Sequence, residues 1–280
     1  MKKEEARKLA EQGLAELHQA LQNGHSETLT RYLNMMSRFH RYSFNNILLI
    51  ARQCPDAVYV AGFHTWRKLG RCVRKGEQGI GIFAPMAYRR KEDAKRSVDE
   101  PEDSVALAGF RVVHVFDVSQ TDGDDLPELT TVQGDPGNQL PRLERVIRES
   151  GIEIEYGNPG YGAHGVSTDG KIIVEPDLPP AQTFSILVHE FSHELMHQKT
   201  GRRKELSRAA RETEAEAVAH VVCMACGLDP KTSTADYIYL SRGDAKTLSH
   251  SLDIIQKTAT SIIHLIAKPQ RDGLAKMMAA

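Results

Sequence analysis

Apolar residues recur at intervals of three and four along the first 55 residues, and this period predicts helices. The first predicted helix runs through apolar positions from Ala6 to Leu21, and Gly24 ends it. A second begins near Ser26 and a third near Ser43. The chain is therefore expected to open with three helices.

The apolar pattern changes after the third helix to short runs separated by turns. Residues 58–60 form a predicted strand, 63–69 a short helix and 71–85 a hairpin. Strand-like alternation resumes at residues 105–118, which are expected to return and pair with the hairpin. A small antiparallel sheet should thus follow the helices.

A segment rich in Asp, Gly and Pro at residues 121–141 is typical of an interdomain linker. We predict an N-terminal domain over residues 1–134 and a second domain over residues 135–280. The second domain begins with a predicted helix, a strand and a hairpin over 166–174, and long helices follow. The predicted fold class is α+β in both domains.

The helix that begins near Pro180 is apolar around most of its circumference and should be buried. It contains the sequence His-Glu-Phe-Ser-His from His189 to His193. Histidines four apart stand on one helix face, about 6 Å apart along the axis, and can share one metal ion. Glu190 beside them can reach a metal-bound water, which is the arrangement of a zinc hydrolase. The alternative is a chance match in which both histidines bond to backbone carbonyls.

The next predicted helix offers three acids as a third zinc ligand. Glu214 falls on the same face as the apolar stripe of that helix, whereas Glu212 and Glu216 share the opposite face. A carboxylate in line with a buried stripe needs a partner, so we select Glu214 as the ligand. Glu212 or Glu216 remains an alternative. His197 lies about 12 Å along the axis from His189 and is interpreted as a helix-end cation or a pocket wall.

Bulk composition restricts the class of protein. With 40% apolar and 26% charged residues over 280 positions, the chain resembles an ordinary soluble protein. It contains no run of 18 apolar residues and no apolar core after its N-terminal lysines, so we expect neither a membrane span nor a secretory signal, and a cytoplasmic location. Four cysteines are too few and too unevenly placed for a disulfide framework.

Charge is segregated along the chain. Residues 1–100 contain 18 Lys and Arg against 11 Asp and Glu, a charge of +7, and the remainder has a charge of −8. A basic excess favours a polyanion such as nucleic acid, although an ordinary solvated surface gives the same count.

Cations interleaved with an aromatic ring are what a single nucleic-acid strand requires, and such residues occur in the N-terminal domain. The predicted DNA contacts are Asn45, Asn46, Trp66, Arg67, Lys68, Arg71, Arg74 and Lys75. The asparagines could instead cap a helix, and the tryptophan could instead belong to the core.

The sequence from Tyr42 to Pro85, together with FRVVHVFDVSQTDG at 110–123, resembles the N-terminal domain of the ArdC-type antirestriction proteins. That resemblance implies binding of single-stranded DNA. ArdC-like proteins also join this domain to a C-terminal zinc metallopeptidase domain, which is the order read here from the residues.

Residues 140–266 resemble the gluzincin metallopeptidases, and ETEAEAVA at 212–219 looks like the ImmA/IrrE-type branch. The resemblance implies a zincin-like domain in which the acid of the Glu214-Ala215 pair binds zinc. It also implies that Glu190 accepts a proton from a zinc-bound water. Tyr237 or Tyr239 could supply the oxyanion donor, or could simply pack.

Three functions follow from these patterns. The first is a DNA-associated zinc metallopeptidase that hydrolyses a peptide or protein substrate. The second is a non-proteolytic antirestriction protein that binds single-stranded DNA and has a structural metal site. The third is a regulatory peptidase that cleaves a repressor. The peptide substrate, the DNA sequence preference and the oligomeric state have no signature in the sequence.

Overall fold

The computed structural model describes residues 1–89, 105–124, 135–160, 163–229, 240 and 244–268. Within them the chain is α+β, as predicted, and it divides into two compact units. Unit 1 comprises Met1–Glu16 and Asn45–Pro127, and unit 2 comprises Leu17–Phe44 and Glu128–Ala280. None of the described helices has both the length and the apolar character that a membrane crossing demands.

The three predicted N-terminal helices are confirmed. Helix α1 covers Lys3–Gln22, α2 covers Ser26–Arg38 and α3 covers Phe44–Gln53. Gly24 separates α1 from α2 with a φ of 83°, a conformation that costs glycine little because it has no Cβ.

Unit 1 contains two small antiparallel sheets around a short helix. Its elements are β1 (Val60–Gly62), α4 (Phe63–Lys68), β2 (Arg71–Val73), β3 (Ile80–Arg89), β4 (Val105–Asp117) and β5 (Thr121–Gly123). One sheet has the order β1-β4-β3, and the other is the pair β2-β5. Ile80 and Ile82 of β3, Val115 of β4 and Trp66 of α4 are buried. Side chains of α3 hydrogen-bond to the backbone of β3.

The hairpin predicted over residues 71–85 is wrong, because its two strands pair with different partners. Strand β2 pairs with β5, and β3 pairs with β4. The Arg71 side chain donates to Thr121 Oγ1 at 2.8 Å, and the Arg74 backbone N–H donates to the Gln120 carbonyl at 3.0 Å. Strand β2 thus pairs with a segment nearly fifty residues later in the chain. Turn residues next to β2 cannot indicate such a pairing.

Unit 2 combines a three-stranded sheet with long helices. Its elements are α5 (Gln139–Glu149), β6 (Glu153–Tyr156), β7 (Gly165–Ser167), β8 (Lys171–Val174), α6 (Pro180–His193), α7 (Arg208–Ala225) and α8 (Ala245–Ala267). The sheet order is β6-β8-β7, in which β8 is parallel to β6 and antiparallel to β7. The predicted hairpin of β7 and β8 is confirmed, with Asp169 and Gly170 in the turn at positive φ.

Helix α7 is central to unit 2, since α6, α8 and α2 all pack against it. Residues 17–44 join this unit through hydrogen bonds in which the Gln256 side chain of α8 donates to the carbonyls of His40 and Tyr42, at 3.1 and 2.9 Å. The predicted division between residues 134 and 135 adjoins residues 125–134, which lie outside the described residues, so it stays a prediction.

Candidate metal centre and nucleic-acid interface

Two helices bring three metal-ligating side chains together. His189 and His193 lie one turn apart on α6, and Glu212 lies in the second turn of α7. The two histidine Nε2 atoms are 3.1 Å apart, and Glu212 Oε2 is 3.4 Å from each of them. These three residues form a group whose donor atoms could hold one ion.

The spacing of this group fits a tetrahedral cation. Ligand atoms about 2.05 Å from a tetrahedral zinc ion lie roughly 3.3 Å from one another. The three donor separations, 3.1, 3.4 and 3.4 Å, are close to that value. Two imidazoles and one carboxylate are also a donor set that zinc and several other divalent metals accept.

The electrostatics of the group favour a cation between its ligands. Burial acts to lower the pKa of His189, but hydrogen bonds to Glu212 and Glu216 outweigh it and raise the pKa to about 9. Hydrogen bonds from His189 and His193 hold the pKa of the Glu212 carboxyl well below its usual range. The site therefore stabilises positive charge beside its carboxylates.

The structure corrects the choice of Glu214 as third ligand. Glu214 is completely buried, as the helix period predicted, but its carboxylate bonds to His197 Nε2 at 2.9 Å and to the Arg202 guanidinium at 3.0 and 3.1 Å. Its charge is thus satisfied away from the two Nε2 atoms. The alternative left open by the sequence, Glu212, takes its place in the group.

Glu216 lies beside the group without joining it. Its Oε2 atom is 3.3 Å from Nδ1 of His189, the ring nitrogen that faces away from Glu212. A carboxylate in this position orients a metal-binding imidazole.

Glu190, the predicted general base, follows His189 on α6 and lines the same cleft as the metal group. Burial raises the pKa of its carboxyl, against an opposing effect of the charge on His189. The Ser167 backbone N–H of β7 donates to the carboxylate. Gly165 permits this close approach of β7 to α6, since a Cβ at that position would overlap the Ile186 side chain.

A cleft of about 670 Å³ exposes this arrangement to solvent. Glu190 and β7 line one wall, and the start of α7 lines the other. Three arginines, Arg203, Arg208 and Arg211, line the cleft together with Glu212 and Glu216. Tyr237 and Tyr239, the predicted oxyanion donors, lie outside the described residues.

Two buried polar residues near the group were missed as partners. His197 is 1% exposed, lies in a π-helical turn over Glu194–Gln198 and has its Nδ1 3.1 Å from Nδ1 of His193. Glu194 accepts hydrogen bonds from the Ser167 hydroxyl at 2.6 Å and the Gly170 N–H at 3.0 Å. The signal for His197 was present, because it follows His193 by the same four residues that separate His193 from His189.

In unit 1, two of the predicted DNA contacts are structural. The Asn46 side chain donates to the Phe83 carbonyl and accepts from the Phe83 N–H, both at 2.8 Å. Trp66 is 0% exposed, and its Nε1 donates to the Phe116 carbonyl at 2.9 Å. Both predictions are corrected: these polar groups are occupied, and the indole has no face open to a base.

Two of the predicted basic contacts are also engaged within the fold. Arg71 bonds to Thr121 Oγ1 and to backbone carbonyls of β5 and the residue after it. Arg74 forms ion pairs with Glu77 at 2.8 Å and Asp122 at 3.4 Å. These contacts hold β2 and the turn after it, and they leave less of each cation for an external phosphate.

The remaining predicted contacts, Asn45, Arg67, Lys68 and Lys75, are exposed. Two aromatic residues that sequence reasoning missed lie on or just before α4: Phe63 is 45% exposed and Tyr59 is 39% exposed. An exposed aromatic beside basic residues was the pattern sought, but the sequence does not reveal which ring faces outward. In the structure Trp66 is buried and Phe63 is the exposed aromatic residue of α4.

Residues 6–116 match the family model described as the N-terminal domain of anti-restriction factor ArdC. The segment includes every predicted DNA contact and the whole of α4, and it confirms the resemblance seen in the sequence. The matched segment ends before α6, so it contains none of the candidate metal ligands.

The chain also resembles a crystal structure of the antirestriction ArdC protein from the R388 plasmid, in its metal-free form. The TM-score is 0.50 at 21% identity over 82% of this chain and 87% of that one, which is a similarity of fold. The Mn(II)-bound structure of that protein aligns with a TM-score of 0.48 at 19% identity, over 85% of this chain and 99% of that one.

A curated relative, the uncharacterized protein pXO2-81 of Bacillus anthracis, is 25% identical over 86% of this chain. The chain spans 48% of the length of that relative, about half.

Proposed function

We propose that this protein acts in antirestriction by binding single-stranded DNA through its ArdC-type domain, and that unit 2 holds a divalent metal ion. The observation that carries the proposal is the match of residues 6–116 to the ArdC N-terminal domain, together with an exposed aromatic and basic surface inside that segment. The surface, which we call the α4 surface, consists of Tyr59, Phe63, Arg67 and Lys68.

The α4 surface has the chemistry of a single-strand platform. Phe63 and Arg67 are four residues apart on α4 and share a helix face. An exposed ring can stack on a base of any sequence, and a guanidinium beside it can bind phosphate or stack in turn. Within the described part of the chain, no carboxylate forms an ion pair with Arg67 or Lys68, so both charges are available.

The DNA proposal is tested by fluorescence anisotropy with a labelled single-stranded oligonucleotide at several salt concentrations. Arg67→Glu/Lys68→Glu should weaken binding and make the dependence of log K on log salt shallower. Lys3→Glu/Lys8→Glu makes the same change of charge at exposed positions of α1 and is the matched control. Equal affinity of the two double variants would remove the α4 surface from the interface.

The metal proposal rests on the donor set His189, His193 and Glu212, whose separations fit one tetrahedral ion. Zinc is our first expectation from two imidazoles and a carboxylate, and manganese is also compatible with these ligands. Purified protein should contain about one divalent ion per chain by mass spectrometry of the metal content. Protein that takes up neither Zn²⁺ nor Mn²⁺ would refute the site.

Peptide hydrolysis is the second candidate function, and Glu190 is the observation that favours it. A bound divalent ion would polarise a peptide carbonyl and acidify a water molecule. Glu190, with a raised pKa, faces the cleft and could accept the proton of that water. Strand β7 forms an edge of its sheet beside the cleft and could pair with an extended peptide.

The variant Glu190→Gln separates the two functions. It retains the shape of the side chain and the three metal ligands, so metal content should not change. If protection of incoming DNA from restriction in cells persists in this variant, antirestriction does not require hydrolysis, as we propose. Loss of protection with unchanged metal content and DNA affinity would favour the peptidase function instead.

A further inference from the structure

A chain of hydrogen-bonded side chains extends from the metal group into the interior of unit 2. His193 Nδ1 is 3.1 Å from His197 Nδ1, and His197 Nε2 is 2.9 Å from Glu214 Oε2. His197 and Glu214 are 1% and 0% exposed. Neither residue belongs to the group of His189, His193 and Glu212, so the burial of these two polar side chains needs a reason of its own.

Glu214 is fixed at the inner end of this chain. The two guanidinium nitrogens of Arg202 donate to its two oxygens at 3.1 and 3.0 Å, and the Ser251 hydroxyl of α8 also bonds to it. Both oxygens therefore accept from a group that only donates, and the positive charge of Arg202 lies against them. The group is therefore a carboxylate, which only accepts hydrogen bonds.

An ionised Glu214 and a neutral His197 together set the direction of every bond in the chain. Nε2 of His197 must donate to the carboxylate, so Nδ1 of a neutral His197 is an acceptor. That acceptor faces Nδ1 of His193, which must then donate. The proton of a neutral His193 is thereby placed on Nδ1, and its Nε2 presents a free lone pair beside Nε2 of His189 and Oε2 of Glu212.

We propose that His197, oriented by Glu214, is a positioning residue that holds His193 in the one tautomer able to bind a metal through Nε2. The inference rests on the metal centre proposed above. Four separate elements contribute to the network: the π-helical turn, the segment containing Arg202, α7 and α8. The π-helical turn that contains His197 follows directly after α6, so His197 is held close to His193.

The test has one arm without metal and one arm with Zn²⁺. In metal-free protein with ¹⁵N-labelled histidine, long-range ¹H–¹⁵N spectra should show His193 with its proton on Nδ1. In His197→Phe, which keeps the volume of the ring but removes the acceptor, His193 should become a mixture of tautomers.

In the second arm, competition with a chromophoric chelator should show Zn²⁺ binding to His197→Phe weakened roughly 10- to 100-fold, the usual cost of losing an outer-shell partner. The matched control is His220→Phe, since His220 is a buried histidine of α7 whose Nε2 lies 2.7 Å from Asn34 Oδ1. This control should have the Zn²⁺ affinity and the His193 tautomer of the wild type.

Glu214→Gln provides a second variant should His197→Phe not fold, because its amide can donate to His197 Nε2 and so permits the reversed chain. It too should produce mixed His193 tautomers. If the variants kept both the Zn²⁺ affinity and the His193 tautomer of the wild type, the inference would be overturned. Weaker Zn²⁺ binding with an unchanged His193 tautomer would also overturn it, because His197 would then have only a structural role. Wild-type protein that binds no Zn²⁺ would refute the metal centre, while the metal-free spectra would still decide the tautomer.

Discussion

The metal group of unit 2 and the α4 surface of unit 1 both contain residues that we selected from the sequence for their chemistry. The structure brings the selected histidines together, but it buries or pairs several of the residues selected as DNA contacts. On α6, the two histidines and Glu190 lie where a regular helix places them. Around α4, the tryptophan, one asparagine and two arginines are occupied by the fold, and an unselected phenylalanine is exposed.

The difference follows from the range of the interactions that fix each site. Positions i and i+4 of one helix are neighbours whatever surrounds the helix. Whether a ring or a cation on a short helix faces solvent depends on partners far along the chain, such as the Phe116 carbonyl that bonds to Trp66. The relative positions of residues within one helix can therefore be predicted from sequence, whereas the exposure of a side chain cannot.

Replacement of the buried tryptophan should have the largest effect and would sharpen this contrast. Trp66→Ala should lower the free energy of unfolding by about 3–5 kcal/mol, because it leaves a cavity and an unpaired Phe116 carbonyl. Urea denaturation followed by circular dichroism measures the change. Arg67→Ala, at an exposed neighbour, should change stability by less than about 0.5 kcal/mol. If Trp66→Ala kept normal stability but lost DNA binding, the indole would instead be a DNA contact.

The choice between the two acids of α7 is tested next. Glu212→Ala should weaken Zn²⁺ binding by more than the roughly 10- to 100-fold expected for an outer-shell partner, because it removes a ligand. The stability of the metal-free protein should change little, since the Glu212 side chain is 49% exposed. Chelator competition and urea denaturation measure the two quantities. Normal affinity in this variant would remove Glu212 from the ligand set.

The exposed phenylalanine should affect binding and not stability. Phe63→Ala should weaken single-strand binding by about 1–3 kcal/mol through the loss of stacking on a base. Phe110→Ala is the control, because Phe110 of β4 is 46% exposed, nearly the same as Phe63 at 45%. Anisotropy titrations compare the two variants. Equal losses in both would mean that exposure alone, and not the position on α4, decides the contact.

A smaller effect is expected from Asp117, which holds the segment that leads to α4. Its carboxylate accepts from the N–H groups of Val58, Tyr59 and Ser119 at 2.8–3.0 Å. Burial acts to raise its pKa, but these bonds outweigh it and lower the pKa.

A lowered folded-state pKa gives Asp117 a stabilising contribution above its unfolded pKa of about 3.9, and this contribution is lost as pH falls through the folded pKa. Asp117→Asn should therefore cost about 1–2 kcal/mol at pH 7 and should reduce the acid sensitivity of unfolding. Urea midpoints between pH 7 and pH 3 give both quantities. Parallel curves for variant and wild type would show that this carboxylate is not the titrating group.

Sequence reasoning succeeded where one element decided the outcome. The helix period identified Glu214 as buried and Glu212 as lying on another face, and both statements agree with the structure. It selected Glu214 as the ligand because it took burial to mean metal binding, whereas Glu212 lies with the two histidines in the structure. Arg202 and His197 satisfy Glu214, and neither can be paired with it from helix spacing alone.

The wrong hairpin in unit 1 also results from contacts between residues far apart in the chain. Gly76 and Gly79 indicated a hairpin, but only Gly76 lies in a turn, with a φ of 92°. The partner of β2 depended on side-chain hydrogen bonds from Arg71 to the β5 segment. Strand pairing at long range depends on such contacts, which local turn chemistry does not contain.

The bonds of Glu194 to the β7–β8 hairpin restrict how the cleft could change width. Glu194 fastens Ser167 and Gly170 to the helix that contains both histidines, and Gly165 lies directly against the same helix. That wall should therefore move as one piece with α6, and amide hydrogen exchange should show it as a single protected block. A change in the width of the cleft would therefore require movement of the opposite side, which contains Arg203, Arg208 and Arg211.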